Sequence, residues 1–331
     1  MSHPIAPFQP DSKLDTIFAM DKLRDPWVRG VALTLFVVII LATATRVSPP
    51  TPLTGERPVA GPAAREAAFT PSGEHYAWLN RRQRARYEPL AARIPPPDGC
   101  ARVKLAARGF ANWLRHLPAA PADTPVTTGR RKVVMKPGDP RLAAVLLLQP
   151  TNDRLLAGAN MLLRLRAEFL WSGEKLDGIG FHFTSGHLAT WESWAKGERP
   201  RVKGRDVSFE PAFDADAGRE SFCSYLETIF QYASGHSVSL DTTPVTDGSV
   251  APGDILLRNA RKGSYALMVL DACTGPNGEL HILLADAGMP AQTLYIPRGS
   301  DGGPWLAVSQ SRDLVLADGR ALRLADLRRW K

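Results

Sequence analysis

Residues 265–271 read YALMVLD and residues 280–285 read LHILLA, and the turn-forming GPNG at 275–278 lies close before the second run. Short apolar runs rich in β-formers, separated by Gly, Pro and Asn, predict neighbouring antiparallel strands. Residues 254–257 (DILL) and 293–296 (TLYI) extend the same pattern on either side. Pro252-Gly253 forms the turn into the first of them, with Asp254 in a structural role. Upstream the signal changes to a helical one. Residues 152–171 (NDRLLAGANMLLRLRAEFLW) place Leu155, Met161, Leu162, Leu165 and Phe169 mostly at steps of three and four, behind a cap at Thr151 or Asn152. Helices are also predicted over 74–94, 110–117, 189–195 and 219–232, with strands over 132–135, 142–149 and 179–183. A short basic helix is expected at the C-terminus. Helices first and antiparallel strands later argue an α+β fold, with helices packed on an antiparallel sheet in a single domain over 74–331.

With 331 residues, 44% hydrophobic and 22% charged, the chain can bury a core without disulfides. Its net charge of +8 is concentrated in Arg81, Arg82, Arg84, Arg86, Arg93, Arg102, Lys104 and Arg108, and again in Arg328, Arg329 and Lys331. No nucleic-acid motif accompanies either cluster, so a solvated or lipid-facing basic surface is expected and no nucleic-acid partner. The three cysteines Cys100, Cys223 and Cys273 are widely spaced and form no CxxC pair. They allow one disulfide plus one free thiol, or none.

GVALTLFVVIILATAT runs from Gly30 to Thr45 between Arg29 and Arg46. It is shorter than the ~20 residues of a full span and longer than most signal-peptide cores of ~7–15. The 29-residue tail before it is too long and too mixed in charge for a signal n-region, although Ala42-Thr43-Ala44 resembles a cleavage site. An uncleaved single-pass anchor over 30–46 is expected, with the membrane as partner. Lys13, Lys22, Arg24 and Arg29 tip the orientation toward an inside N-terminus and a large extracytoplasmic (periplasmic) domain in a bacterial envelope. Residues 47–73 carry many Pro, Ala and Gly and read as a semi-rigid linker.

GFANWLRHLP, LRLRAEFLW, FHFTSGHLATWESWAKGERP, SYLETIFQYAS, APGDILLR, ALMVLDA and LLADAGMPAQ occur in that order. Together they resemble the bacterial family catalogued as domain of unknown function 4846, over about residues 110–305. The resemblance implies a Cys at the start of the RLRAE helix and a His in the step that opens the ALMVLD strand. A thiol at a helix N-terminus is favoured as thiolate, and a His on a facing strand can serve as its base. Cys, His and then a polar residue is an order similar to that of papain-like hydrolases of the NlpC/P60 type. Here Gly158 and Tyr265 stand at those two positions, and Asp286 where members often have Gln. Glycine offers no nucleophile, and a phenol of pKa about 10 is a poor base at neutral pH. The expectation is a catalytically degenerate member that binds a cell-wall glycan, a peptide or a protein partner, with Gly158 and Tyr265 facing one cleft.

The alternative is an active peptidase or amidase that uses Cys223 or Ser185 with a His such as His236. The competing reading of Cys223 is a structural residue, and of Thr184-Ser185-Gly186 a cap for the helix that carries Trp191 and Trp194. His182, Trp191, Trp194, Gln292 and Trp305 are candidate binding residues, since Trp surfaces stack on sugars and peptides but also fill cores. His182, His187, His236, His281 and Asp286 show no ligand spacing such as HExxH, so neither a metal site nor a cofactor is expected. A purely structural, lipid-proximal role rests only on the basic stretch 81–108.

Overall fold

The computed structural model describes residues 69–148, 158–288 and 291–331, all within one compact unit. The expected anchor at 30–46, most of the linker and the caps at Thr151 and Asn152 lie outside the described residues. Among the described residues, no helix is long and apolar enough to cross a membrane.

The elements that position the site are strands β1 (Leu142–Val145), β2 (Thr242–Pro244), β3 (Ile255–Arg258), β4 (Tyr265–Thr274), β5 (Leu280–Asp286), β6 (Tyr295–Pro297), β7 (Trp305–Ala307) and β8 (Leu327–Trp330). Among the described residues, these eight and the short strand Ala101–Arg102 make one antiparallel sheet, with main order β2-β8-β3-β4-β5-β6-β1. The α+β expectation holds. Helices α1 (Phe110–Arg115), α2 (Gly158–Ser172) and α3 (Gly235–Asp241) lie on one face. A second hydrophobic cluster covers the other face with Leu314, Leu316 and Leu322 of the C-terminal segment.

The alternation of β4 explains why both faces are apolar. Met268 and Leu270 join the helix-side cluster, while Tyr265, Leu267 and Val269 join the opposite one. A β-bulge between Val269 and Asp271 breaks the period. It turns Asp271, 1% exposed, toward the helical layer, where Arg102 Nε at 2.7 Å and Arg115 Nε at 2.8 Å donate to its two oxygens. Arg102 also donates to the Ala91 and Ile94 carbonyls, so one carboxylate ties the N-terminal segment to the middle of the sheet.

Several expectations are corrected. Residues 74–94 are not one helix. They form a 3-10 turn (Gly73–His75), a helix (Arg81–Arg86), a two-residue strand (Glu88–Pro89) and a helical turn (Leu90–Arg93). Pro89 holds the preceding residue extended, and Glu88 pairs with Ala119 instead. The C-terminal LRRW is strand β8, not a helix, because it fills the slot between β2 and β3. There Arg329 is held by Asp254, and Arg328 by Thr242 and the Ser239 carbonyl. Thr184-Ser185-Gly186 caps no helix. The turn between strands Gly180–His182 and Leu188–Thr190 contains it, and Thr190 caps the helix Trp191–Ala195. A ribbon of Glu198–Lys203 and Asp206–Pro211 was not anticipated, since its apolar alternation is confined to Val207 and Phe209 among charged and polar neighbours.

Replacing Asp271 with Ala leaves two guanidinium groups facing a buried void. It is expected to cost about 3–5 kcal/mol and to lower Tm by ~10 °C in a thermal melt. The exposed Glu210→Ala in the ribbon should stay within about 0.5 kcal/mol of the parent.

Candidate functional site

The first described turn of α2 lies against the C-terminal end of β5, and a small cleft opens there at the ends of β3, β4 and β5. Gly158, Leu257, Arg258, Tyr265, Asp286 and Arg320 line it, and its volume is about 120 Å3. The three positions that the sequence singles out for chemistry therefore border one hollow. A second hollow of about 300 Å3 shares Ser264, Asp286, Gly288 and Arg320 with it and continues past Gln292, Tyr295 and Arg298.

Gly158 is buried, and the main chain closes over it. A Cβ built there would stand 2.6 Å from the Gly288 carbonyl oxygen, closer than real Cβ contacts come. Gly288 is equally constrained. Its φ is 61°, and its own Cβ would stand 2.4 Å from the Gln292 amide. Two glycines thus let the loop after β5 touch the first turn of α2. Gln292 is anchored from its backbone N–H to the Ala287 carbonyl at 2.6 Å. It holds this loop while facing the larger hollow.

Tyr265 shares the strand face of Leu267, so its ring packs with the C-terminal segment. Its hydroxyl donates to Asp326 and accepts the Arg323 N–H at 3.0 Å. Burial first, and then the Asp326 hydrogen bond, raise its pKa further from that of a base. Asp286, 3% exposed, accepts from the Tyr295 hydroxyl at 2.9 Å, from Gly288 N–H at 2.8 Å and from Arg320. Burial tends to lower the Arg320 pKa, but the Asp286 carboxylate outweighs it and the net shift is upward. Burial, reinforced by Asp286, pushes the Tyr295 phenol up as well.

Among the described residues lining the two hollows there is no Cys and no His. The hydroxyl of Ser264 is spent on the Ala260 backbone. The hollows therefore hold no nucleophile paired with a base. What they do hold is positive charge. Arg298 donates only to the Leu142 and Gly302 carbonyls at 3.0 and 2.8 Å. Arg258 exerts a through-space pull on Asp326. Among the described residues, neither guanidinium has a carboxylate within ion-pair distance. Sequence reading missed Arg258, Arg298 and Arg320, since a lone Arg after a strand or turn carries no signal of what it faces.

The other candidates do not line this cleft, although His236 directly follows Gly235, which does. Ser185 Oγ is 3.0 Å from His187 Nδ1, both on an exposed turn. Cys223 is exposed on the helix Arg219–Tyr232. Arg219, on the same helix, clamps the buried Glu168 through both oxygens. The backbone N–H of His236, in the first turn of α3, donates to Ser234 Oγ. His182 Nδ1 meets Asp241 Oδ1, and burial raises the pKa of that aspartate despite the imidazole. Trp191 and Trp194 are 2% and 8% exposed and pack on Tyr225, and Trp194 Nε1 donates to Ser221. Trp305, 5% exposed, donates its Nε1 hydrogen to the Pro95 carbonyl. These three indoles serve the core. Among the described residues, no group of three His, Cys, Asp or Glu side chains could hold a metal ion.

A family model described as domain of unknown function (4846) matches residues 90–329. No curated protein and no solved structure matches the chain. The match covers well over half of the sequence, and the chain belongs to that family.

In an open helical position Gly→Ala stabilises by up to ~1 kcal/mol. Against the Gly288 carbonyl the sign reverses. Gly158→Ala is expected to cost about 1–3 kcal/mol and lower Tm by several degrees, measured by calorimetry.

Proposed function

We propose that this member of the domain of unknown function 4846 family is a degenerate papain-like domain that binds an acidic peptide without cleaving it. The proposal extends to location: residues 30–45 anchor the chain in a bacterial membrane, and the domain stands on the extracytoplasmic side at the end of its Pro-rich linker. The observation that carries the reading is the approach of the Gly288 carbonyl to Gly158. A thiol hydrolase needs its nucleophile at a helix start, a base on the facing strand and a polar group on the next. Gly158, Tyr265 and Asp286, the positions the family resemblance assigns to those roles, line one cleft, and each is committed elsewhere. The first is sealed by main chain, the second is bonded to Asp326 and Arg323, and the third is paired with Arg320, which it shares with Asp318. A chain that had lost only a thiol would keep the space for one.

The ligand class follows from the charges. Among the described residues Arg258 and Arg298 have no carboxylate at ion-pair distance, so carboxylates on a ligand would complete them. Trp191 and Trp194 are packed in the core and Trp305 lines a different hollow, so no indole stacks in the cleft, which favours a peptide over a bare glycan. Cell-wall peptides with free carboxylates are the natural candidates outside the cytoplasm.

Calorimetric titration of the full chain in detergent tests this. The probes are soluble wall peptides with free carboxylates and their amidated counterparts. The expected result is binding of the acidic form, weakened about 10-fold or more by Arg258→Ala, as loss of a charge-assisted bond predicts. Neither the parent nor the double variant Gly158→Cys with Tyr265→His should hydrolyse the peptides. Hydrolysis by the parent would overturn the reading in favour of an active enzyme, and equal affinity for both probes would remove the acidic-ligand assignment.

A further inference from the structure

Cys100 and Cys273 lie far apart in sequence and side by side in the fold. The short strand Ala101–Arg102 pairs with the end of β4, Ala101 opposite Thr274 and Arg102 opposite Cys273. Cys100, the next residue along, is therefore the diagonal neighbour of Cys273 on the same face of the pair. Both side chains pack into the helix-side core. Cys273 is fully buried and Cys100 half-buried at the margin. Beyond the effect of burial, the Cys100 thiol is near enough to act on the Cys273 thiol and raise its pKa. The chain before Cys100 can adjust, since it enters through the turn that closes on the Pro97 carbonyl, with Gly99 at φ 75°. Cys223 lies exposed on the helix Arg219–Tyr232, which carries neither of the other two.

We propose that Cys100 and Cys273 are a disulfide site, joined when the chain meets a disulfide donor, and that Cys223 remains the free thiol. This goes beyond the cleft and does not depend on what the cleft binds. The chemistry is thiol–disulfide exchange with a donor such as oxidised glutathione or an oxidised dithiol oxidoreductase. The Cys100 thiolate attacks one donor sulfur and expels the other as a thiolate, giving a mixed disulfide. The Cys273 thiolate then attacks Cys100 Sγ and expels the second donor thiolate. The two protein thiols lose two protons and two electrons, and the donor disulfide gains both and becomes two thiols. Burial, and then the neighbouring Cys100, push the Cys273 thiol up to about 12. The second attack is therefore slow in the folded protein and fastest while β4 is still pairing. The bond would fasten residues 95–102 to the central strand just beyond Asp271, and constrain the unfolded chain through a very long loop.

The test is a disulfide map of the full chain in detergent, refolded with an excess of oxidised over reduced glutathione and quenched with N-ethylmaleimide. The expected map contains one peptide pair linked through Cys100 and Cys273, two hydrogens lighter than its reduced form. Cys223 should appear as an adduct of the maleimide or of glutathione. Reduction should lower Tm by about 5–10 °C. The Cys223→Ser variant should form the same bond and leave no titratable thiol. Finding Cys100 and Cys273 both blocked by maleimide or glutathione, or Cys223 in the linked pair, would overturn the proposal. Neither result would alter the peptide-binding test of the cleft, which reads a different face of the molecule.

Discussion

A carboxylate held by two guanidinium groups inside the protein fixes how the halves of this fold meet. Asp271 is almost wholly buried, and water cannot solvate its charge. It is therefore stable only where Arg102 and Arg115 both reach it. That requirement sets three things together. The bulge in β4 must turn the residue toward the helices, α1 must present Arg115, and the strand Ala101–Arg102 must pair with the end of β4. Arg102 passes the constraint on by bonding the Ala91 and Ile94 carbonyls, which fixes where the N-terminal helical turns end. An apolar residue at 271 could pack in the same place, but it would not select one arrangement of these segments over another.

The sheet that this node organises was largely legible in the sequence. Strands β3, β4 and β5 combine apolar runs with Gly, Pro and Asn turns, and that signal is local. Helices Phe110–Arg115 and Arg219–Tyr232 were legible from their periodicity for the same reason. The elements that were missed owe their form to distant partners. LRRW carries helix-tolerant residues, yet it is a strand because β2 and β3 leave a slot between them and Asp254 waits for Arg329. The stretch 74–94 reads as one helix until Glu88–Pro89 finds its partner at Pro118–Ala119. On the ribbon Val207 and Phe209 turn one face to the core, but two apolar residues among charged ones are too few to announce a strand pair.

The site divides along the same line. Which positions matter was visible, since Gly158, Tyr265 and Asp286 depart from a pattern that the rest of the chain keeps. What surrounds them was not. The Gly158–Gly288 approach needs two glycines 130 positions apart and a loop held by Gln292, and no short window contains that information. Arg258, Arg298 and Arg320 matter because of the acids that they have or lack, a property of the folded arrangement. The tryptophans erred in the opposite direction. Their number suggested a binding surface, yet their N–H groups find core acceptors, as a buried indole must.

The cleft also explains why lost chemistry need not mean a lost site. Catalysis by a thiol requires an ionisable pair in contact with each other and with the substrate carbonyl, so one missing atom removes it. Binding requires only that charges on the wall be left for a ligand to satisfy. Asp286 in the cleft is held by Arg320, which also pairs with Asp318, and Asp326 nearby is held by Arg323 and the Tyr265 hydroxyl, so these acids are already engaged within the protein. Arg258 lines the cleft and Arg298 the adjoining hollow, and among the described residues neither has a carboxylate at ion-pair distance. Closing the nucleophile's place with main chain costs such a site nothing. It makes the floor of the cleft rigid, and a rigid floor loses less entropy when a ligand settles on it.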